Sequence, residues 1–184
     1  MLWTVSIVTG KQEPLVDLGE GIQYAVLSPD GNQVAFNFIQ NGVINVWIAG
    51  VHDGQRKQLT FEAEMGGFPC WSPDGQWIAY ETKRGRDDNL MIMPSKGGQP
   101  IQLTFDKGKS WPHSFSPDGK EIVFAGQRDG IWNIYTISIS TKVQKQLTNY
   151  SQTNSFVRYP TWSSNRIVYE YAETTGNIWM LELR

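Results

Sequence analysis

The sequence has only one cysteine and two histidines among its 184 residues. Because Cys70 is alone, an internal disulfide and a cysteine-based metal site are excluded, and two histidines are too few for a multi-histidine metal centre. No apolar run approaches the roughly 18 residues that cross a bilayer. Met1 to Val8 also lacks the basic and apolar regions of a signal peptide. We expect no metal, no cofactor and no membrane insertion, and the compartment stays open.

An excess of charge of one sign is also absent. The chain carries 16 basic and 18 acidic residues, which gives a formal net charge of −2. Such a balance provides no field that would attract nucleic acid. The sequence contains no Gly-x-Ser-x-Gly nucleophile elbow, phosphate-binding glycine loop or calcium-binding loop. We therefore expect a protein that is not an enzyme and does not bind nucleic acid.

What the sequence does contain is an internal repeat. Ser-Pro-Asp-Gly begins at Ser28, Ser72 and Ser116, and Gln-Leu-Thr begins at Gln58, Gln102 and Gln146, in both cases in steps of 44 residues. A third marker is Asn followed by alternating apolar and aromatic residues, and it occurs four times, also 44 residues apart: Asn45, Asn89, Asn133 and Asn177. Repeats of this length are typical of propellers and solenoids.

Each repeat predicts four short strands, which we call A to D. Apolar and β-branched residues alternate over four to eight positions between turn signals, and no segment has a sustained helical period. Strand A is expected to be short and innermost, and Trp162 to Asn165 is expected to replace the Ser-Pro-Asp-Gly turn in the fourth copy. The predicted fold is all-β, a propeller of four four-stranded blades whose tryptophans pack between blades.

The motif combination resembles the TolB-like (WD-like) β-propeller repeat. The residues that carry the resemblance are Trp71 to Gly75, Ile78 to Tyr80, Arg128 to Gly130, Asn133 to Tyr135 and Gln146 to Thr148. The resemblance implies a propeller that binds proteins or peptides, and a periplasmic location if the parent is TolB-like. It also implies an alternative function, because prolyl-oligopeptidase-like and tricorn-like peptidases carry such propellers to control substrate access.

The repeat arithmetic predicts one domain that begins and ends within a blade. We assign a partial blade to 1–17, full blades to 22–60, 66–104 and 110–148, and a blade without its own strand D to 157–184. Two arrangements are compatible with this count of strands. In the first, the N-terminal strand near Leu15 pairs with the last blade and closes a four-bladed ring. In the second, the chain is part of a larger propeller that is completed by a second copy or by further sequence.

The predicted binding surface is the face that holds the loops between strands B and C and between strands D and A. Mixed charge on loops of a rigid scaffold suits a polypeptide partner, and strand A adds groups at the channel. The candidate binding residues are Glu64, Arg84, Arg86, Asp88, Lys107, Lys109, Trp111, His113, Arg128, Asp129, Arg158 and Tyr159. We expect a protein or peptide partner, with self-association as a further possibility, and no catalytic residue.

Overall fold

The computed structural model describes residues 1–174 of the chain. This part contains antiparallel β-sheets and connecting turns, and no helix in it is long and apolar enough to cross a membrane. The strands are β1 Leu2–Val5, β2 Gln12–Val16, β3 Ile22–Leu27, β4 Gln33–Gln40, β5 Val43–Gly50, β6 Arg56–Gln58, β7 Met65–Trp71, β8 Trp77–Arg84, β9 Asp87–Pro94, β10 Ile101–Gln102, β11 Lys109–Phe115, β12 Glu121–Arg128, β13 Ile131–Ser138, β14 Gln144–Gln146, β15 Ser155–Ser163 and β16 Arg166–Glu173.

The strands form consecutive propeller blades, which confirms the predicted all-β fold. Blade 1 is β3 to β6, blade 2 is β7 to β10 and blade 3 is β11 to β14, and each is paired antiparallel in chain order. An N-terminal half-blade of β1 and β2 precedes them, and a C-terminal hairpin of β15 and β16 follows. The fourth strand C predicted at Asn177 lies outside the described residues.

The relative strand lengths differ from the expectation. Strand A, predicted to be short, has 6 to 9 residues, whereas strand D in blades 1 to 3 has only 2 or 3. Strand A extends further toward its N-terminus than the alternation of apolar residues indicates, since Gly66, Gly67 and Ser110 are also buried. Each strand A contains a register shift near its middle, so its two halves pair with strand B in different registers.

The Ser-Pro-Asp-Gly turns share one hydrogen-bond network. In the second copy the Ser72 hydroxyl donates to Asp74 at 2.5 Å and accepts from the Trp77 amide at 2.9 Å. The Ser28 and Ser116 turns repeat the same bonds. The fourth turn is different, because β15 continues to Ser163 and a two-residue connection, Ser164 and Asn165, leads into β16. The predicted counterpart of this turn is therefore shortened to a tight hairpin.

The Asn and Gln-Leu-Thr markers form a second network that joins strands C and D. In blade 1 the Asn45 side-chain oxygen accepts from the Thr60 hydroxyl and the Glu62 amide, both at 2.9 Å. The same hydroxyl accepts from the Val46 amide at 2.8 Å. Blade 3 repeats the arrangement with Asn133 and Thr148. These repeated residues therefore hold each blade together.

The core lies in layers between neighbouring blades. Ala35 and Val46 of blade 1 pack on Ile78 and Tyr80 of blade 2, and the next layers repeat this arrangement toward blade 3 and the C-terminal hairpin. Burying apolar side chains on both faces of a blade removes them from water and fixes the blade stack. The tryptophans predicted to pack between blades lie in these layers: Trp47, Trp71, Trp77, Trp132 and Trp162.

The blades form an open arc in the described part of the chain. Strand β2 pairs with β1 and not with β15 or β16. Leu2 and Val16 of the half-blade pack on blade 1 beside Val34 and Phe36, so the half-blade extends the arc at its N-terminal end. The sheets are therefore not closed within residues 1–174, as expected for a partial propeller or part of a larger one. Pairing of the N-terminal strand with the strand C predicted at Asn177 lies outside the described residues.

Candidate functional site

The predicted binding face is built on tight hairpins. Strands B and C are joined by two residues in blades 1 to 3: Asn41 and Gly42, Gly85 and Arg86, and Asp129 and Gly130. Asn41, Gly42, Asp129 and Gly130 have φ values of 51° to 81°, as a type I′ hairpin turn requires at both central positions. Arg84, Asp87, Asp88 and Arg128, expected in loops, therefore lie in strands, and only the hairpin tips project freely.

Asp88 is the most constrained of the candidate residues. Its carboxylate is buried between blades 2 and 3, where Lys109 and the Trp111 indole both donate to Oδ2 at 2.9 Å. Its amide donates to the Gly108 carbonyl at 2.8 Å, while Oδ1 has no hydrogen-bond partner in the described structure. Asp88, Lys109 and Trp111 therefore connect two blades.

Glu64 and Arg128 are also engaged within the protein. Both oxygens of Glu64 accept from the Gly85 amide, at 3.1 and 3.2 Å. Arg128 donates to the Lys109 carbonyl at 2.6 Å and to the Ser110 hydroxyl at 3.0 Å. These two side chains hold the start of strand A against the hairpin, a role that their charge alone does not reveal.

The remaining candidates on this face are exposed. Arg86, Lys107 and Asp129 form no hydrogen bond or ion pair with any residue in 1–174, and Arg84 lies 4.0 Å from Glu62 at more than half exposure. Arg86 and Asp129 are on hairpin tips, and Lys107 is on the connection between blades 2 and 3. These side chains are available for contacts with another molecule.

The A strands contact one another and lie innermost in the arc. Tyr24, Phe68 and Tyr159 occupy the register shifts of three A strands with φ of 48° to 54°, a conformation that costs aromatic residues about 1 to 2 kcal/mol. The rings meet edge to face, with centroids 5.3 Å apart for Tyr24 and Phe68 and 5.6 Å apart for His113 and Tyr159. Strain of this kind clusters at functional sites.

A cavity of about 330 Å³ opens where blades 2 and 3 meet the C-terminal hairpin. It brings four of the predicted residues together, Trp111, His113, Arg158 and Tyr159. Sequence reasoning missed the other lining residues, which are Phe68, Glu81, Pro112 and Phe156. A signal for Glu81 was present, because a carboxyl directly follows the buried strand Ile78 to Tyr80 where the first and third copies have Asn37 and Ala125, although the fourth copy also has a carboxyl there, Glu170.

The polar groups of this cavity have perturbed protonation. Burial, and secondarily the nearby Asp88, raises the pKa of Glu81 to about 8, so its carboxyl is largely protonated at neutral pH. Burial lowers the pKa of His113 to about 4, and its imidazole is neutral. Nε2 of His113 and Nε of Arg158 have no hydrogen-bond partner in the described structure. The cavity therefore combines unsatisfied polar atoms with aromatic walls.

Metal ligation is a separate question. Within residues 1–174, no three or more His, Cys, Asp or Glu side chains are grouped closely enough to hold a metal ion. Cys70 is buried, and desolvation raises the pKa of its thiol to about 12. It therefore behaves as a small apolar core residue and contributes nothing to the cavity.

The repeat, the blade pairing and the A-strand channel can now be compared with known proteins. The sequence profile of the TolB β-propeller domain matches residues 2–183. The chain belongs to the TolB β-propeller family. A search of the curated proteins gave no match. Family membership accounts for the Trp-Ser-Pro-Asp-Gly and Gln-Leu-Thr markers as shared elements of the fold.

Solved structures show the same fold at low identity. A putative TolB from Agrobacterium tumefaciens is 21% identical with a TM-score of 0.72, covering 92% of this chain and 64% of that one. TolB from Acinetobacter baumannii is also 21% identical at 0.72, covering 93% and 45%. A prolyl endopeptidase is 14% identical at 0.65, covering 89% and 28%. This TolB β-propeller thus spans less than two thirds of each of these chains.

Proposed function

We propose that this chain is a non-catalytic propeller scaffold that binds a protein or peptide partner through the face of the B–C hairpins and D–A connections. The observation that carries the proposal is the set of exposed charges without internal partners, Arg86, Lys107 and Asp129, beside an aromatic cavity at the same end of the blades. Rigid sheets that present both charge signs and aromatic rings suit a polypeptide.

Some charged residues on this face are bonded within the protein and others are exposed, and this difference supports the proposal. Glu64, Asp88, Lys109 and Arg128 fix the connections to the hairpins through hydrogen bonds within the protein. A surface that is already ordered loses little conformational entropy when a partner binds. The partner would then contact the hairpin tips and the channel end of strand A, where Tyr159 is more than half exposed.

The experiment is a peptide-display selection on the immobilised chain, followed by titration of the selected peptides in solution. Arg86→Glu and Lys107→Glu are expected to weaken binding about tenfold, because each variant reverses a charge at the interface. Lys120→Glu on the opposite, Ser-Pro-Asp-Gly face is the matched control and should leave affinity unchanged. Failure to select any peptide, or loss of binding only in the control, would contradict the proposal.

A second candidate is a propeller module that accompanies a peptidase. The observation that favours it is the structural likeness to a prolyl endopeptidase and to Porphyromonas gingivalis dipeptidyl peptidase 4, of which this chain covers 28% and 33%. The test is the reading frame in which the chain is encoded. A hydrolase domain with a nucleophile elbow in that frame would favour the peptidase module, and its absence would favour the scaffold. Peptide hydrolysis by the isolated chain would exclude the non-catalytic proposal.

A further inference from the structure

The junction between blades 2 and 3 departs from its counterpart between blades 1 and 2. In the first junction the Asn37 side-chain oxygen accepts from the Phe68 amide at 2.8 Å, which satisfies both buried groups. Forty-four residues later the same positions are Glu81 and Pro112. Proline has no amide hydrogen to donate, so this repeated hydrogen bond cannot form at the second junction.

Glu81 is consequently a buried carboxyl without a protein donor. Glu81 is only 4% exposed, and while its backbone lies in the sheet, its carboxyl forms no hydrogen bond with any residue in the described range. Buried polar groups are almost always paired, and an unpaired one calls for an explanation such as a ligand. Because Glu81 lines the cavity, a molecule that enters the cavity can reach its oxygens.

The charges around the cavity identify what kind of molecule this is. Lys109 is held by Asp88 at 2.9 Å, and Arg158 is held by Glu170 at 2.7 Å. Each neighbouring cation is therefore paired with another carboxylate, and neither forms an ion pair with Glu81. An anionic ligand would be repelled by ionised Glu81, whereas a cationic ligand would supply the missing partner.

The uncharged lining favours a cation as well. Phe68 and Phe156 provide aromatic rings, whose faces attract ammonium and guanidinium groups. The Trp111 and Tyr159 rings already have Lys109 and Arg158 of the protein over them. The neutral His113 imidazole presents an unpartnered Nε2, which accepts a hydrogen bond when the proton is on Nδ1. The Glu81 carboxyl and His113 Nε2 are acceptors that match a group rich in N–H donors, and Arg158 Nε is an unpartnered donor in the same lining.

We propose that the cavity is a subsite for a primary ammonium or guanidinium group, presented by a lysine or arginine side chain of the partner. The polypeptide source rests on the proposed function, whereas the cation chemistry rests on the cavity alone. Cation binding forms an ion pair with the Glu81 carboxylate and releases the proton that Glu81 carries in the free protein. Arg158 keeps its own ion pair with Glu170.

Proton release makes the affinity depend on pH in a defined direction. The titratable and charged groups around Glu81 come from several strands. Asp88 on β9 disfavours its ionisation and Lys109 on β11 favours it. Tyr24 on β3 is also close enough to interact with its charge, and His113 on β11 and Arg158 on β15 line the same cavity. Since the pKa of free Glu81 is about 8, affinity for the cation should rise about tenfold per pH unit up to pH 8 and then level off. A lysine ammonium stays protonated throughout this range.

The test is an NMR titration of the full chain with Nα-acetyl-lysine amide, Nα-acetyl-arginine amide and the uncharged Nα-acetyl-norleucine amide. At pH 8 the cationic probes should shift the Trp111 indole and His113 ring signals saturably, and norleucine should bind at least tenfold more weakly. Glu81→Gln, which resembles the protonated carboxyl, should reduce cation affinity at least tenfold and abolish its pH dependence. Glu121→Gln, a half-buried glutamate at the start of β12, is the matched control.

The proposal is overturned if norleucine binds as well as lysine, if Glu81→Gln has no effect, or if wild-type affinity does not change with pH. Its failure is distinguishable from failure of the proposed function. A selected peptide that binds equally to wild type and Glu81→Gln would leave the scaffold role intact and remove the subsite. Binding of the lysine probe without any peptide ligand would support the cation site and remove the polypeptide partner.

Discussion

The junction between blades 1 and 2 and the junction between blades 2 and 3 are built from the same repeat positions with different side chains. In the first, Ile44 of β5 pairs through its backbone with Met65 of β7. In the second, the residues 44 positions later are Asp88 and Lys109, an ion pair of a buried carboxylate and a partly exposed ammonium. Both junctions contain an apolar layer and a backbone contact between strands C and A, and the second adds this ion pair.

This difference shows which residues the fold requires. The Ser-Pro-Asp-Gly network recurs on both sides of the second junction, as do the threonine bonds of the Gln-Leu-Thr segments, so the blades themselves are alike. Buried charges offer little stability over apolar residues of similar size. A junction that replaces Asn37 and Phe68 by Glu81 and Pro112 therefore indicates specialisation for a ligand and not for stability.

The largest effect is expected when the ion pair of the second junction is broken. Asp88→Ala removes the acceptor of Lys109 and Trp111 and should lower the free energy of unfolding by about 3 kcal/mol. Urea denaturation measures this loss. Asp129→Ala, at an exposed hairpin tip, is the control and should change stability by less than about 0.5 kcal/mol. Equal effects of the two substitutions would show that the ion pair does not hold the junction.

A smaller loss is expected at the first junction. Asn37→Ala leaves the buried Phe68 amide without an acceptor and should cost about 2 kcal/mol of unfolding free energy. The exposed Asn165→Ala serves as the control in the same denaturation assay. If Asn37→Ala is as stable as the wild type, the hydrogen bond between Asn37 and Phe68 does not seal this junction, and the contrast with Glu81 and Pro112 disappears.

The pH dependence of stability distinguishes the two junctions next. Folded Glu81 keeps its proton to about pH 8, whereas the unfolded carboxyl loses it near 4.5, so the folded state binds more protons between these values. This contribution to stability falls as pH rises, by up to about 1.4 kcal/mol per pH unit. His113 acts in the opposite direction, since its pKa is lowered from 6.5 to about 4.

Denaturation between pH 6.5 and 8 therefore isolates Glu81, because the His113 contribution is constant above its unfolded pKa. Wild-type stability should decline over this interval relative to Glu81→Gln. Parallel curves for the two proteins would mean that Glu81 ionises normally in the folded state and that the buried carboxyl of the second junction is not perturbed.

The smallest effect is expected when the amide donor that Phe68 provides in the first junction is restored at position 112 of the second. Pro112→Ala restores an amide hydrogen where Phe68 has one, and a bond from this amide should lower the pKa of Glu81 by about one unit. Carboxyl carbon NMR shifts measure the titration. Pro69→Ala, one position after Phe68 in the first junction, is the control. An unchanged Glu81 titration in Pro112→Ala would show that the missing donor is not the cause of the elevated pKa.

The internal repeat made the fold predictable from the sequence. A period of 44 residues located strands A to D, and the alternation of residues such as Ile78 to Tyr80 marked the buried strand B. The length of strand A was not readable, because Gly66, Gly67 and Ser110 are buried without being apolar. The two-residue turn at Ser164 also escaped prediction, since it depends on a positive φ that serine seldom adopts.

The site was only partly readable, because charge does not specify whether a side chain faces solvent. Arg86, Lys107 and Asp129 are exposed as expected, but Asp88 and Arg128 are committed to bonds between strands. His113 and Tyr159 were assigned to the channel, yet Glu81 was missed. Its repeat position holds Asn37 and Ala125 in the first and third copies and Glu170, which pairs with Arg158, in the fourth. The role of Glu81 depends on whether the neighbouring blade offers its carboxyl a donor, and the pattern of one repeat alone does not reveal this.

The most direct test of the specialised second junction is the titration of Glu81 itself, followed by its carboxyl carbon NMR shift with and without saturating Nα-acetyl-lysine amide. The free protein should show a pKa of about 8. A cation bound beside the carboxylate must lower this pKa, since ligand and proton compete for the same group. A pKa that returns toward its ordinary range near 4.5 is the predicted result, and a pKa unchanged by the probe would contradict it.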